Sequence, residues 1–145
     1  MKHDETADID RVLSQYRTVA VVGASSDPDR ASYEVAGFLK AQGYRMIPVT
    51  PRGGEILGET VYPNLTSIPE KVEVVDIFRR PEDVPPIVDE AISIGAKVVW
   101  MQLGIVNEEA AAKARAAGLT VVMDHCMKEE TEKRQSENTE VNQDG

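Results

Sequence analysis

Five short apolar runs, alternating with segments of helical periodicity, most constrain how this chain folds. The runs cover residues 18–22, 45–49, 72–78, 97–103 and 120–123. Successive side chains of a strand point to opposite faces, so a run that is apolar throughout predicts a strand buried on both faces. Such strands alternating with helices form a parallel sheet with helices on both sides. We therefore predict a single α/β domain with a doubly wound five-stranded parallel sheet in the order 3-2-1-4-5.

The segments between the runs carry the signals that begin and end helices. Apolar residues recur at helical spacing in segments 4–16, 32–42, 81–94 and 107–117. Gly43, Gly95 and Gly118 follow the last three, where glycine ends a helix, and Asn107 is a plausible N-cap. Segment 52–69 is rich in glycine and proline and reads as a loop. The sequence thus predicts a folded domain over residues 1–128.

The remaining segment, 129–145, predicts a disordered acidic tail. It contains six acidic residues against two basic ones and almost no apolar side chains. The whole chain of 145 residues has a net charge of −9, which argues against nucleic acid or an anionic membrane as a partner. Its length suffices for one domain with a core and not for two.

Cysteine usage and the absence of long apolar segments indicate the cellular compartment of the protein. The single cysteine, Cys126, excludes an internal disulfide and suits a reducing environment. No apolar signal segment begins the chain, and no apolar run approaches the ~20 residues that a membrane-spanning helix needs. We therefore expect a cytoplasmic protein. His3, His125 and Cys126 show no recurring ligand spacing, so we expect no metal site.

The end of the first strand predicts an anion-binding turn. Gly23-Ala24-Ser25-Ser26 follows the run 18–22, and a helix begins soon after. The first N–H groups of a helix have no intrahelical partners, and together with the helix dipole they favour a bound anion. The next glycine after Gly23 is Gly37, so the turn lacks the G-x-G-x-x-G pattern of dinucleotide-binding proteins. A tight strand–helix connection without a ligand is the alternative.

Ligands of doubly wound sheets bind at the carboxyl ends of the strands, so the residues that follow each strand are candidates. After the turn at Gly23 these are Thr50-Pro51-Arg52, Phe78-Arg79-Arg80, Gln102-Leu103-Gly104 and Asp124-His125-Cys126. Hydroxyls and arginines suit a phosphate ligand, although Arg79 and Arg80 are also placed to act as surface charges that pair with Glu82 and Asp83. No catalytic acid–base pair is evident. His125 and Cys126 are neighbours on an extended chain and point to opposite faces, which disfavours a nucleophile–base pair.

Six segments of the sequence resemble the small stand-alone CoA-binding proteins, whose single domain is also the CoA-binding part of the succinyl-CoA synthetase α-subunit. The matching segments are 21–33, 43–51, 55–65, 75–84, 94–110 and 118–126, in unbroken order. The resemblance implies a Rossmann-like fold. The second domain of the synthetase subunit, with its phosphorylated histidine, has no counterpart here, so the resemblance implies no ligation chemistry.

The resemblance also implies a site for CoA or acyl-CoA. The implied binding residues are Gly23, Ala24 and Ser25 at the pyrophosphate; Arg30 and Tyr33 at the mouth of the first crossover helix; Thr50, Pro51 and Arg52 beside the adenosine; Phe78 and Arg79 under the adenine; and Gln102 and Gly104 towards the pantetheine. One departure stands out, because close relatives have M-D-R-C where this chain has Met123-Asp124-His125-Cys126. A permanent cation is thereby replaced by a side chain whose charge depends on pH.

The function that fits these features is a non-catalytic CoA-binding or CoA-sensing module. It leaves open a protein partner, a homodimer or a role as a subunit of an acyl-CoA enzyme. The alternative from another class is an NADP-dependent oxidoreductase of short-chain type, with Arg52 receiving the 2′-phosphate. Against it stand the missing glycines and the absence of a Tyr-x-x-x-Lys pair.

Overall fold

The computed structural model describes the backbone of residues 5–144 and the side chains of residues 5–137. In chain order the elements are α1 (Glu5–Gln15), β1 (Thr18–Val22), α2 (Ala31–Ala41), β2 (Arg45–Val49), β3 (Glu55–Ile56), β4 (Glu59–Thr60), a 3-10 helix (Leu65–Ser67), β5 (Val74–Ile77), a second 3-10 helix (Pro81–Asp83), α3 (Val84–Ser93), β6 (Val98–Met101), α4 (Glu108–Ala116), β7 (Thr120–Val122) and α5 (Met127–Asp144). The Asn107 side chain caps α4 by accepting from the amide of Ala110 at 2.9 Å.

The main sheet has five parallel strands in the order β2-β1-β5-β6-β7. This confirms the predicted α/β fold, but the predicted strand order 3-2-1-4-5 is wrong. The third of the five strands, β5, pairs with β1, with Val19 opposite Val74, and does not extend the sheet beyond β2. Counted over these five strands, the order is 2-1-3-4-5, as in flavodoxin-like sheets.

The path of the connection from β2 to β5 explains this order. Leu65 and Val72 lie in that connection and pack with Val88 of α3, on the face of the sheet opposite α2. The amide of Leu65 also donates to Glu90 Oε1 at 3.0 Å, which ties the connection to α3. A right-handed crossover on this face leads back past β1 and places β5 on its far side.

The two faces of the sheet bury separate apolar cores. One core lies under α3 and α4 and includes Val88 and Ala114. The other lies under α1, α2 and α5 and includes Ile9, Leu39 and Trp100. The loop predicted over residues 52–69 contains the two-stranded antiparallel hairpin β3–β4 and the first 3-10 helix. Within the part of the chain that the structure describes, no helix combines the length and the apolar character needed to cross a bilayer.

The predicted disordered tail is a helix in the structure. Met127, its first residue, is fully buried, and Lys128 Nζ lies 3.1 Å from Glu34 Oε1 of α2. Arg134 Nε lies 2.5 Å from Asp10 Oδ1 of α1, and the same guanidinium contacts Glu130. Ion pairs with the neighbouring helices therefore hold a segment whose low apolar content predicts disorder. Residue 145 lies outside the described residues.

Candidate functional site

A cleft of about 850 Å³ crosses the carboxyl ends of β1, β2, β5 and β6. It lies where the direction of winding reverses, between β1 and β5, which is where doubly wound sheets bind their ligands. The cleft collects residues from the turn after β1, the start of α2, and the loops after β2, β5 and β6. The sheet thus brings together side chains that are far apart in sequence.

Most of the residues implied by the family resemblance meet in this cleft. The nine that line it are Gly23, Ala24, Ser25, Arg30, Thr50, Arg52, Phe78, Arg79 and Gln102. Pro51 lines an adjoining pocket of about 290 Å³, which shares Gly23, Thr50 and Arg79 with the cleft. Tyr33 is half-buried and packs against the core under α2, outside the lining of the cleft. Gly104 is exposed between two lining residues, Leu103 and Ile105.

Gly23 is required by a close approach between two strand ends. Its φ is +89°, and a Cβ built there would lie 2.4 Å from the carbonyl oxygen of Phe78. Only glycine fits both the left-handed backbone and this contact. The turn at Gly23 therefore positions the loop after β5 against the loop after β1, whatever ligand is present.

The amides free to meet an anion lie further along the turn than the resemblance implies. The N–H groups of Gly23 and Ala24 both donate to the carbonyl oxygen of Val49, at 3.0 and 3.2 Å. Four other amide N–H groups near the start of α2 have no acceptor among the described residues. They are the amides of Ser25, Ser26, Ala31 and Ser32.

The loop between these amides is ordered by its own side chains. Ser25 Oγ accepts from the amide of Asp27, and Asp27 Oδ1 accepts from the amide of Asp29, both at 3.0 Å. These hydrogen bonds fix the conformation of the loop between β1 and α2. The free amides of Ala31 and Ser32 lie at the positive end of the α2 dipole, where a bound anion is stabilised.

Arginines give the cleft a local positive charge on an acidic chain. Arg30, Arg52 and Arg79 line it, and none of the described carboxylates lies within ion-pair distance of them. Arg80 also lines the cleft but pairs with Glu82 and Asp83, at 3.5 and 3.3 Å, as its neighbours in the sequence suggest. The acids in the lining are Asp27 and Glu55. Four arginines against two acids favour an anionic ligand.

Two buried polar side chains near the cleft were missed by sequence reasoning or given too little weight. Asp76 of β5 is fully buried, and neither of its carboxylate oxygens has a hydrogen-bond partner among the described residues. Burial raises the pKa of this carboxyl well above its ordinary value. Gln102 lines the cleft, and its Oε1 is also buried without a partner. The available signal for Asp76 was its position as a charged residue inside the apolar run 72–78.

His125 and Cys126 do not form a catalytic pair. His125 Nε2 lies 2.9 Å from Glu5 Oε2, and Nδ1 lies 3.3 Å from Glu130 Oε2, so both ring nitrogens face carboxylates. The Cys126 side chain is buried in the core under α1 and α5. Within the described range, no group of three or more His, Cys, Asp or Glu side chains is placed to hold a metal ion.

Comparison with known proteins identifies relatives of the whole domain. The family model described as "CoA binding domain" matches residues 17–132. An uncharacterised protein of Bacillus subtilis, YneT, is 38% identical over 88% of this chain and 95% of its own length. The structure of a hypothetical protein from Pyrococcus horikoshii matches with a TM-score of 0.86 and 43% identity, over 88% of this chain and 90% of that one.

A second kind of relative is larger. The α-subunit of the ADP-forming acetate–CoA ligase I of Pyrococcus furiosus is 34% identical over 57% of this chain, a match that covers only 19% of the ligase subunit. Nothing in the names of these relatives points to an oxidoreductase. The match of the family model and the similarity to YneT extend over nearly all of the described domain. The chain belongs to the CoA-binding domain family.

Proposed function

We propose that the chain binds CoA or acyl-CoA in the cleft at the carboxyl edge of the sheet, as a binding or sensing module without turnover. The observation that carries the proposal is a group of arginines, Arg30, Arg52 and Arg79, beside the amides at the start of α2. Neither these arginines nor those amides have partners among the described residues. CoA has a pyrophosphate and a 3′-phosphate, and arginine and backbone N–H groups are strong donors to phosphate oxygens.

The parts of the ligand can be assigned by their chemistry. The pyrophosphate is expected at the amides of Ser25, Ser26, Ala31 and Ser32, with Arg30 and Arg79 beside it. Arg52 follows β2 and is available to the 3′-phosphate. Gln102 lines the cleft, and its side-chain amide is expected beside the amide groups of the pantetheine.

The absence of turnover is inferred from the chemistry of the lining. No histidine or cysteine is among the described residues that line the cleft, and neither of its acids, Asp27 and Glu55, is buried. A hydrolytic or acyl-transfer step needs an activated nucleophile or a positioned base. The larger relatives are ligases, so a second candidate is a role beside a partner protein that supplies the chemistry.

The free thiol of Cys126 suits a cytoplasmic location.

Calorimetry against CoA, NADP⁺ and AMP, in parallel and in the same buffer, tests the proposal. We expect CoA to bind more tightly than AMP, because the arginines and the amides act on both of its phosphate groups. We expect it to bind more tightly than NADP⁺, because the turn lacks the G-x-G-x-x-G pattern of dinucleotide-binding proteins. Arg79→Glu should weaken CoA binding at least tenfold, about 1.4 kcal/mol. A bulky acid at Ser25, such as Ser25→Glu, should have an effect of similar size, since it places a carboxylate beside the free amides.

Arg115→Glu is the matched control for Arg79→Glu. Arg115 is exposed on α4 and outside the cleft lining, so its reversal changes the net charge equally while leaving the cleft intact. Equal weakening by both substitutions would show a general charge effect and contradict the proposed site. Tight binding of NADP⁺ with none of CoA would overturn the proposal and favour the oxidoreductase alternative.

A further inference from the structure

An exposed apolar loop borders the cleft at the end away from Arg52. Leu103 and Val106 are 59% and 43% exposed, and they are the large apolar side chains exposed to solvent within the described residues. Both lie in the loop after β6. Leu103 and the half-buried Ile105 also line the cleft that contains the arginines. Two exposed apolar residues in one loop beside a binding cleft indicate a ligand contact, since single exposed apolar residues are otherwise scattered.

The loop is held in this exposed conformation by hydrogen bonds. The amide of Ile105 donates to the carbonyl oxygen of Gln102 at 2.8 Å, and the amide of Gly104 donates to Asp124 Oδ1 at 2.6 Å. Gly104 has a φ of +85°, which closes the turn. Beyond the loop, Asn107 Nδ2 donates to the carbonyl oxygen of Pro81 at 2.9 Å. Leu103 therefore stays at the mouth of the cleft and is not free to fold into the core.

The lining of the cleft changes character along the sheet. Arg52 follows β2, Arg79 follows β5, and Leu103 follows β6. The strand order places these three in sequence along one edge, from cationic to apolar. A ligand that matches this order has a polyanionic head and an apolar end. The apolar loop is continuous with the arginine-lined cleft. We therefore assign it to the apolar end of a bound ligand and not to the surface of a protein partner.

We infer that the ligand is an acyl-CoA with an apolar acyl chain, which packs on Leu103 and Ile105 while its phosphates meet the arginines. The inference rests on the proposed function and adds the class of acyl group. An alkyl chain on these side chains removes apolar surface of both partners from water, which favours the acyl thioester over free CoA.

Calorimetry with CoA, acetyl-CoA and octanoyl-CoA, the last kept below its micelle concentration, tests this inference. Octanoyl-CoA should bind the wild type at least tenfold more tightly than CoA, with acetyl-CoA close to CoA. Leu103→Ser should reduce this preference to about twofold or less. Val106→Ser is the matched control, because Val106 is similarly exposed in the same loop but does not line the cleft. That variant should keep the tenfold preference.

The possible results separate the two proposals. If none of the three thioester or thiol ligands binds, the proposed function fails and the inference fails with it. If CoA binds and octanoyl-CoA binds no more tightly, only the inference is overturned. It is also overturned if Leu103→Ser keeps the preference or if Val106→Ser loses it equally. Sedimentation completes the test: a wild-type dimer that Leu103→Ser converts to a monomer would assign the loop to a second copy of the chain.

Discussion

At the scale of single residues, Gly23 joins two strand ends by a contact that excludes any side chain. We expect Gly23→Ala to lose more than the roughly 1–2 kcal/mol that an alanine costs in left-handed backbone. The added reason is the 2.4 Å separation between the new Cβ and the Phe78 carbonyl oxygen, which backbone movement must relieve. Denaturant unfolding measures the loss.

Gly118→Ala is the control for this prediction. Gly118 has a φ of +92°, close to that of Gly23, but no atom lies within 4 Å of a Cβ built there. Its substitution should cost the backbone strain alone. Equal losses at the two positions would show that the contact with Phe78 contributes nothing.

Asp76 makes stability depend on pH. Its pKa is raised in the folded protein by burial, from an ordinary value of 3.8. Between these two values the folded state binds more protons than the unfolded state, so stability falls as pH rises, by up to about 1.4 kcal/mol per unit. Asp76→Asn removes this dependence. The free energy of unfolding of Asp76→Asn minus that of the wild type should therefore increase from pH 4 upwards.

The comparison needs an exposed aspartate as reference. Asp29→Asn removes a carboxylate that is exposed and outside the core, so it controls for the loss of one negative charge. A pH dependence of the same size for both substitutions, or a flat difference for Asp76→Asn, would contradict the role of the buried carboxyl. Urea titrations at several pH values supply both curves.

At the scale of elements, α5 is attached to the domain by charged contacts. Burial alone would raise the pKa of Glu130, but hydrogen bonds from Arg134 and His125 outweigh it and lower the pKa. The ionised Glu130 therefore stabilises the folded state above its unfolded pKa, and this contribution is lost as pH falls through the folded pKa. We expect Arg134→Gln to cost about 1 kcal/mol at pH 7, and the cost to disappear in acid.

Lys133→Gln is the control for Arg134→Gln. Lys133 is exposed on α5 and has no ion-pair partner among the described residues, so it loses the same charge without losing a contact. Denaturant unfolding at pH 7 and at a series of values extending well below 4.5, the ordinary pKa of a glutamate, compares the two. A cost for Arg134→Gln that stays unchanged to the acid end of this series would contradict the role of Glu130.

The elements differ in how far the sequence determines them. The apolar runs predict all five strands of the main sheet because strands buried on both faces consist mostly of apolar residues, Asp76 being an exception. Asn107 is predicted as a cap because asparagine is favoured at the residue before a helix begins. The helix α5 was not predicted, since it is held by Arg134 and Lys128 reaching residues on α1 and α2. Partners more than ninety residues away leave no local pattern in the sequence.

At the scale of the whole molecule, the same limit explains the strand order. The sequence shows that a strand lies within residues 72–78, where the structure has β5 at Val74–Ile77. It does not show which face of the sheet the preceding connection crosses, because that depends on Leu65 and Val72 packing with α3. The region of the cleft was predictable nonetheless, because either order leaves the carboxyl ends of the strands at one edge. The detailed roles were not, since the Gly23 and Ala24 amides are occupied by Val49.

The distribution of charge over the molecule predicts a salt dependence. The chain has a net charge of −9, while the cleft has unpaired arginines. From 0.1 to 1 M salt the Debye length falls from about 10 to about 3 Å, so the attraction of exposed arginines for phosphate is screened. We expect the affinity for CoA to fall about tenfold over this range, by calorimetry.

Two variants test whether the arginines of the cleft cause the fall in CoA affinity with salt. Arg79→Glu should show a shallower dependence on salt, because an attractive charge has been replaced by a repulsive one, and Arg115→Glu should keep the wild-type slope. An affinity for CoA that is independent of salt would mean that the arginines do not contact the phosphates.

The hydrogen bond from Trp100 to the loop after β7 has a consequence for synthesis. The indole Nε1 donates to the carbonyl oxygen of His125 at 2.8 Å, and these residues are 25 apart in the chain. At about 5–20 residues per second the ribosome adds His125 roughly 1–5 s after Trp100. During that interval the indole has no acceptor at this position, and Cys126 and Met127 are not yet present to cover the same core. The part of the core around Trp100 therefore stays uncovered at least until the start of α5 is made, and this part is the apolar surface that a chaperone can bind.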